Sequence, residues 1–275
     1  PAAVLFNVVF GILFSLYNVL RLPMMDFRPY YIGANISQQM YVDPEKADVL
    51  ETLFIYSKDG VEQEFTEENW PWNDTTWTYV DMITRVVKEG EKPKIEDFAI
   101  GTLYYDEEEE QWTTGGNITD MILSEPSYLF LMIAHSLEDA SERDLDRFRG
   151  VHRYARENGY PFYLVTATSP AATGEWEERH DTGFQFVHAD ERVLKTMIRA
   201  NPGLMLLKEG TVINKWDSRG VPQLDRESAS LDELLLINPA DRKSAETRRL
   251  GIVLLLFVVP LLSLKGWESW RRKKA

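Results

Sequence analysis

Two long apolar runs lie at the two ends of the chain, and the residues between them mix apolar and polar side chains. The first run covers residues 1–20 and is interrupted only by two asparagines and one serine. The second covers residues 250–264 and is interrupted by a single serine. Since a helix of about 20 apolar residues crosses a hydrocarbon core of ~30 Å, the pattern predicts two transmembrane helices. We place them at residues 1–21 and 248–270.

The second run is short for a membrane span, and the residues that follow it supply the remaining length. Lys265 can extend its ammonium group towards the lipid headgroups, where Trp267 and Trp270 are also favoured. Pro260 predicts a kink in this helix. The alternative for each run is a buried core helix, although neither run shows the polar stripe of a half-buried helix.

The first part of the central region has strand-like patterns. Residues 51–56 and 61–65 surround a Lys-Asp-Gly turn, which predicts a β-hairpin. Residues 98–105 form a further predicted strand, and the chain turns back after the acidic run Asp106–Glu110. The apolar pieces at residues 77–80 and 84–87, after a loop rich in tryptophan, are predicted as strands or short helices. The aromatic segment at residues 26–35, just after the first apolar run, is expected at the membrane surface, and residues 22–116 as a whole are expected to be a β-rich segment.

From residue 126 onwards, apolar runs of strand length alternate with segments of helical spacing. Such alternation indicates βαβ crossovers and a sheet with parallel pairs. A proline and a closing hairpin complete the pattern. The predicted strands cover residues 128–134, 162–166, 184–187, 204–207 and 212–216, the predicted helices cover 141–158, 172–180 and 191–199, and a last short helix covers Leu231–Ile237 in a linker at 217–247.

The charges of the chain predict its orientation and exclude one class of partner. The basic tail 271–275 is expected in the cytoplasm under the positive-inside rule, although Arg248 and Arg249 at the other flank weaken this prediction. The main domain would then face the periplasm of a bacterium. Residues 22–247 contain 43 acidic and 22 basic side chains, so their surface repels nucleic acid phosphates. The chain has no cysteine, which excludes disulfides and thiolate metal sites.

The order of strands and helices over residues 117–216 resembles the thioredoxin-like fold. In that family a cis proline precedes the closing hairpin, and Pro202 stands at this position. The redox turn of the family follows the first long strand, where this chain has His135–Ala140 without a cysteine. Because the redox chemistry requires a low-pKa thiolate, the resemblance implies the fold without thiol-disulfide activity.

The whole arrangement is similar to DoxX-family inner-membrane proteins of Bacteroidetes that carry a periplasmic thioredoxin-like extension and a C-terminal membrane helix. The resemblance implies that residues 1–20 are the last helix of a four-helix bundle. Some DoxX relatives are membrane subunits of quinone-linked sulfur oxidoreductases. The segments that carry the resemblance are Asp26–Tyr30, Ile32–Ile36, Glu64–Thr66, Trp70–Trp72, Leu194–Arg199, Asn201–Leu204 and Gly210–Ile213.

The histidines and the acidic run are candidates for metal binding. His135 and His152 could form a metal or acid–base pair, but a metal site needs three or four converging ligands. A core or surface role is therefore the stronger interpretation for both, as it is for His180 and His188. The run Asp106–Glu110 lacks the interleaved Gly or Asn of calcium loops, and a solvated turn is favoured. We predict no metal and no cofactor.

Three tryptophans and one proline are candidates for partner binding. Trp70, Trp72 and Trp77 could form a sugar or partner platform, or they could fill a core or mark a membrane interface. If cis, Pro202 and the carbonyl before it would shape a groove for an extended peptide; the alternative is retained architecture. The sequon at Asn117–Thr119 is interpreted as a helix cap.

Together these features predict an α/β protein: a periplasmic thioredoxin-like domain, preceded by a β-rich insertion and flanked by two transmembrane helices. The expected function is that of a non-catalytic membrane-anchored subunit in the bacterial inner membrane. Its partners would be the lipid bilayer and other envelope membrane proteins. The alternatives are a component of a quinone-linked oxidoreductase, with its chemistry in helices upstream, and a peptide chaperone that uses the groove at Pro202.

Overall fold

The chain folds into two compact units, a small one at Gln39–Glu96 and a large one formed by the residues before and after it. The division predicted from the sequence, with a β-rich segment at 22–116, differs from this one at both ends. The computed structural model describes residues 2–20, 22–23, 26–224, 231 and 239–274, so the predicted helix Leu231–Ile237 lies outside the described residues except for its first position.

The small unit contains a three-stranded antiparallel sheet in the order β2-β1-β3. Strands β1 (Val49–Lys58) and β2 (Val61–Thr66) form the predicted hairpin. Its turn is made by Asp59 and Gly60, whose φ angles are 51° and 81°. Glycine adopts such a φ without steric cost, which explains the Lys-Asp-Gly signal. The two apolar pieces that follow the tryptophan-rich loop form one continuous strand, β3 (Thr78–Lys88).

The large unit contains a seven-stranded mixed sheet in the order β10-β9-β6-β7-β8-β4-β5. Strands β6, β7 and β8 are parallel to one another, and the remaining pairs are antiparallel. The strands are β4 (Ile100–Asp106), β5 (Gln111–Asn117), β6 (Leu129–Ala134), β7 (Phe162–Thr166), β8 (Gln185–Ala189), β9 (Gly203–Lys208) and β10 (Thr211–Asp217).

The parallel strands are connected by helices that cover the sheet, as the alternating pattern predicted. Helix α4 (Leu145–Glu157) joins β6 to β7, and α5 (Pro170–His180) joins β7 to β8. Every residue of β6 and β7 is buried, which explains why these strands are continuous apolar runs. With α6 (Glu191–Met197) and the hairpin β9-β10, this order is thioredoxin-like.

The hairpin β4-β5 belongs to the large sheet, although it lies before residue 117, where the sequence pattern placed the start of the thioredoxin-like domain. Strand β4 pairs with β8 through Ile100 opposite Ala189. Ile100 and Leu103 are buried in the large unit, because the side chains of β4 complete the core at this edge. The thioredoxin-like unit therefore contains two strands more than the sequence pattern indicated.

The segment before α2 (Ile36–Met40) was expected at the membrane surface, but it lies along the outer edge of β10. The Gly33 amide donates to the Val212 carbonyl at 2.7 Å, and the Val212 amide donates to the Ala34 carbonyl at 2.8 Å. Tyr30 and Ala34 are each 2 % exposed. The segment thus covers a sheet edge that would otherwise present unpaired backbone groups.

The helix starts follow local capping chemistry. Ser169 accepts a hydrogen bond from the Ala172 amide at the start of α5, and Asp190 caps α6. Asn117 Oδ1 accepts from the Thr119 amide at 2.8 Å just before α3 (Thr119–Ser124), but the N-cap position of this helix is Ile118, which makes no side-chain capping bond. Ser141 does not open α4 directly, because a short 3₁₀ turn at 142–144 precedes the helix.

Two apolar helices, α1 (Ala2–Leu20) and α7 (Pro239–Lys274), contact each other through phenylalanine rings. The ring centroids of Phe10 and Phe257 are 4.9 Å apart, and those of Phe6 and Phe257 are 6.2 Å apart. The contact brings the two ends of the described chain together.

One segment of the described residues is long and apolar enough to cross a membrane. It covers Leu250–Trp267, 18 residues with a hydropathy of 2.1 and no buried residue. Helix α7 continues through Pro260. The apolar part of α1, Val4–Tyr17, is shorter than a full span. The second transmembrane helix, expected at residues 1–21, therefore remains a prediction.

We expect Gly174→Ala to destabilise the large unit. Gly174 lies in α5 against the indole of Trp112, and an added methyl group would approach the Trp112 Nε1 to 2.6 Å. Trp112 is partly buried and its ring packs edge-on against Phe186 at 5.5 Å, so moving away from the methyl group would disturb that contact. Overpacking of this kind costs about 1–3 kcal/mol. Urea unfolding of the full chain in detergent measures the loss.

Gly150→Ala in α4 is the matched control. An added methyl group at Gly150 meets no atom within 4 Å. This substitution should stabilise the chain by about 0.5–1 kcal/mol, because alanine loses less backbone entropy in a helix. Equal effects of the two substitutions would contradict the contact between α5 and Trp112.

Candidate functional site

The turn that follows β6 occupies the place of a redox turn, and its polar groups bond to one another. The Ser136 hydroxyl donates to Asp139 Oδ2 at 3.0 Å and accepts from the Asp139 amide at 3.2 Å. The Leu137 amide donates to Thr168 Oγ1 at 2.9 Å. Leu137 is buried, so its side chain anchors the turn to the core. These bonds close the turn on itself.

Pro202 lies beside this turn, and the Asn201–Pro202 peptide bond is cis. Asn201 connects the two segments, because its Nδ2 donates to the Ser136 carbonyl at 2.8 Å. Its own carbonyl accepts from the Ser141 amide at 3.1 Å. The peptide groove proposed at Pro202 requires this carbonyl for an incoming strand, and the structure shows it engaged within the chain. This bond weighs against the chaperone hypothesis.

His135 begins the turn as a partly buried imidazole. Burial lowers its pKa, the nearby Lys195 lowers it further, and Glu191 and Asp139 oppose both effects. The net direction favours the neutral ring at pH 7. Among the described side chains, buried Nδ1 of His135 has no hydrogen-bond partner. A neutral imidazole with a spare nitrogen can accept or donate one hydrogen bond.

His152 lies in different surroundings from His135, so the structure shows no pair between them. Its ring packs against Phe162 and Phe184, with centroids 5.1 Å from each. Burial lowers the pKa of His152, Arg156 adds to this, and Glu177 opposes it. His152 is therefore part of an aromatic cluster under α4.

The other predicted metal candidates are also structural. His180 packs on Trp176, with ring centroids 4.5 Å apart, and His188 is a residue of β8. In the acidic turn, Asp106 Oδ1 accepts from the amides of Glu108 and Glu109 at 2.9 and 3.2 Å. No group of three or more His, Asp or Glu side chains converges in the part of the chain that the structure describes.

The tryptophans belong to the small unit and cover part of its sheet. Trp70 stacks on Phe54 of β1, with ring centroids 5.2 Å apart and an interplanar angle of 26°. Trp77 meets Phe65 of β2 edge-on at 5.0 Å. Trp72 is 70 % exposed and Trp70 36 % exposed. The structure thus assigns Trp77 to packing and leaves Trp72 on the surface.

A buried charge cluster in the large unit was missed at the sequence level. Lys215 Nζ donates to Asp26 Oδ2 and to the Tyr30 carbonyl, both at 2.8 Å. Arg28 binds the same carboxylate with Nε and Nη2 at 2.7 and 3.0 Å. The side chain of Lys215 is only 4 % exposed. The cluster fastens the segment after α1 to strand β10.

The pKa values of both Lys215 and Asp26 lie below their ordinary values, for different reasons. Burial lowers the pKa of Lys215 to about 8, although the bond to Asp26 opposes the change. Burial raises the pKa of Asp26, but the hydrogen bonds from Arg28 and Lys215 outweigh burial, and the net direction is downward. The site is therefore a structural ion pair in which burial disfavours the charged form of Lys215. In the sequence Lys215 is one of several polar residues of β10, so nothing next to it in the chain indicates that it is buried.

Comparisons with known proteins give one family match and a set of similar folds. Residues 50–89, within the small unit, match the model of a domain of unknown function (DUF8463). No curated protein matches the chain in sequence. The chain is also similar to solved thioredoxin-like structures.

An uncharacterized conserved protein from Geobacillus kaustophilus is 14 % identical with a TM-score of 0.35, covering 52 % of this chain and 80 % of its own. A secreted Mycobacterium tuberculosis disulfide oxidoreductase, homologous to E. coli DsbE, is 12 % identical with a TM-score of 0.30, covering 51 % and 93 %. StoA from Bacillus subtilis is 15 % identical with a TM-score of 0.31, covering 42 % and 86 %. Similarities at this level carry no inference about activity.

Proposed function

We propose that this chain is a non-catalytic, membrane-anchored subunit of a bacterial envelope complex. Its thioredoxin-like domain would stand in the periplasm, and its C-terminus would lie in the cytoplasm. The other components of the complex would be inner-membrane or periplasmic proteins. In this proposal the domain acts as a scaffold, held at the membrane by α7 and α1.

The closed turn at residues 135–141 carries the proposal. In place of a reactive thiol, this position has a serine and an aspartate that bond to each other and an asparagine that clamps the turn. The chain has no cysteine with which to perform thiol chemistry. A thioredoxin-like domain whose former reactive turn is closed by internal hydrogen bonds is suited to binding a partner without chemistry of its own.

The exposed apolar span Leu250–Trp267 supports the membrane part of the proposal. A contiguous apolar helix that is not buried by its own protein requires another apolar environment. The phenylalanine contact between α1 and α7 suits two helices that share one bilayer. The basic residues after the span support the orientation.

Co-purification from the native membrane tests the subunit proposal. A C-terminally tagged full chain is extracted in mild detergent and examined by native gel and mass spectrometry. We expect a complex much larger than the 31.8 kDa chain, with at least one other envelope protein at constant ratio. Untagged membranes serve as the control. A chain that migrates alone, or only with variable contaminants, refutes the proposal.

A further inference from the structure

One face of the small sheet is only half covered. Residues directly opposite each other on neighbouring strands point to the same face. By this rule Phe54 and Tyr56 of β1 share a face with Phe65 of β2, and Trp70 covers the first two. Trp77 covers Phe65. The loop that carries the tryptophans therefore shields the half of the face that lies over β1 and β2.

The other half of the same face is open. It consists of Leu50 with its partner Val86, Met82 opposite Phe54, and Tyr79 opposite Tyr56. The exposed fractions are 59 % for Leu50, 47 % for Val86, 53 % for Met82 and 55 % for Tyr79. We call these four residues the open stripe. The pair Thr52–Thr84 lies between Leu50–Val86 and Met82, so the stripe is interrupted once. Four large apolar side chains exposed on one face of a sheet of this size indicate an interaction surface.

The open stripe borders an unpaired sheet edge. The order β2-β1-β3 has two outer strands, and β3, with 11 residues against six in β2, is the longer one and the one that carries most of the open stripe. No strand of the described residues pairs with its outer side. Such an edge accepts an additional strand through its backbone groups. A strand added here would place every second side chain next to Met82 and Val86.

The net negative charge of the small unit indicates which kind of partner binds at the open stripe. Residues 39–96 contain 14 acidic and six basic side chains. On the face opposite the open stripe, Glu51 lies across from Arg85, whose guanidinium contacts Glu64 at 3.4 Å. Asp81 is on the same face, four residues from Arg85 along β3, and so is Leu53, which is 5 % exposed. A second copy of this chain, or an anionic lipid surface, would bring like charges together. A basic strand would bring opposite charges together.

We propose that the small unit binds an extended protein segment with alternating apolar and Lys or Arg side chains, which pairs with the edge of β3. The apolar side chains cover the open stripe, and the basic ones face the acidic side of the sheet. One tryptophan of the unit already contacts a cation, since Lys58 Nζ lies 5.7 Å from the centroid of the Trp77 ring, and the exposed Trp72 offers a further ring to a Lys or Arg side chain. This inference rests on the proposed function in one respect, that the chain works through a protein partner.

A synthetic peptide tests the edge and its chemistry. The probe is a fluorescein-labelled nonapeptide of alternating valine and lysine, titrated into the full chain in detergent and followed by anisotropy. We expect saturable binding that weakens with salt. A valine–glutamate peptide should bind at least tenfold more weakly, and so should a valine–lysine peptide with alternate backbone nitrogens methylated, because it cannot pair on an edge. Equal binding of the three peptides, or no binding, overturns the proposal.

A matched pair of substitutions locates the site. Met82→Lys places a charge in the open stripe and should weaken binding at least tenfold. Met121→Lys makes the same change in α3 of the large unit, at a methionine of similar exposure, 49 % against 53 %. This control should leave the affinity unchanged. A similar loss in both variants would show that the peptide binds by overall charge and would overturn the assignment to β3.

Cross-linking separates this inference from the subunit proposal. Because the chain has no cysteine, Met82→Cys and Met121→Cys each provide a single attachment point for a benzophenone, one in the open stripe and one in α3 of the large unit. In native membranes we expect adducts from position 82 to one other protein, at a segment rich in Lys or Arg. Adducts to lipid or to a second copy, or none above those from position 121, overturn this inference. If co-purified partners are found in the same preparation, the subunit proposal stands.

Discussion

Asp26→Asn is expected to destabilise the large unit by about 3–5 kcal/mol, because it leaves a buried lysine charge without its carboxylate. Lys215 would keep the Tyr30 carbonyl and at most the neutral amide oxygen of the asparagine, so its charge, on a side chain 4 % exposed, would have no countercharge. Arg28 would lose its two-point contact at the same time. Urea unfolding of the full chain in detergent measures the loss. A change below 1 kcal/mol would contradict the importance of the carboxylate.

Lys215→Met should cost much less than Asp26→Asn. Asp26 keeps both bonds from Arg28, and a methionine fills the space of the lysine stem without a charge to desolvate. The double substitution Asp26→Asn with Lys215→Met should therefore be more stable than Asp26→Asn alone. Glu191→Gln is the control, since it breaks an ion pair to Lys195 whose side chains are more than half exposed. Such a pair is worth about 0–1 kcal/mol.

The pH dependence of stability provides a second readout for Lys215. Its pKa is about 8 in the folded chain against 10.5 for an ordinary lysine. Between these values the unfolded chain holds the proton that the folded chain has released, so stability rises with pH. One such group contributes at most about 1.4 kcal/mol per pH unit. The rise above pH 8 should disappear in Lys215→Met, and a slope that persists would contradict the shift.

The elements of the large unit were predictable where short-range patterns determine them. Strands β6 and β7 are fully buried, so their apolar runs identified them. The Lys-Glu-Gly turn between β9 and β10 requires positive φ angles, which Glu209 and Gly210 adopt. Pro202 was placed before β9 by the resemblance, and the structure confirms its position and its cis bond. These features depend on neighbours within a few residues.

Pairings between distant segments were not predictable. Asp26 and Lys215 are separated by 189 residues, and nothing near either of them in the chain reveals the other. A lysine in a strand is ordinarily on the solvent side, so β10 gave no sign of a buried charge. The pairing of β4 with β8 was hidden for the same reason, because a strand's periodicity does not identify its neighbour. The aromatic segment at residues 26–36 was therefore assigned to the membrane surface on composition alone.

The candidate site, too, was predictable only where the local sequence determines it. The absence of cysteine excluded thiol chemistry from the sequence alone. The sequence did not show that Asn201 and Thr168 close the turn by hydrogen bonds, because these two residues come from two other loops. Likewise, the sequence identified the tryptophan motif as a candidate platform. It did not show which half of the face of the small sheet the tryptophans leave open. The open half is determined by the register between β1 and β3.

Two arginines in the middle of the apolar span should prevent α7 from crossing the membrane. Leu255 and Val259 lie one helical turn apart, and their exposed fractions are 60 % and 51 %. An arginine at the centre of a span costs about 2.5–3.5 kcal/mol on insertion scales. The variant Leu255→Arg with Val259→Arg therefore loses about 5–7 kcal/mol of insertion free energy. The hydrophobic gain of the span would no longer compensate, and the C-terminus would stay on the side of the main domain.

A single cysteine at the C-terminus reports the result. Ala275→Cys is introduced into the cysteine-free chain, and intact cells are treated with a membrane-impermeant maleimide. We expect no labelling of the unaltered span until the cells are lysed, and labelling of intact cells when both arginines are present. The matched control carries the arginines at Gly251 and Gly266, near the ends of the span, where an added side chain meets no atom within 4 Å. Arginines at these positions can reach the headgroups, so the control should behave like the unaltered span. Labelling of the unaltered chain in intact cells would contradict the predicted orientation, whereas identical behaviour of central and terminal arginines would show that this helix does not span the bilayer.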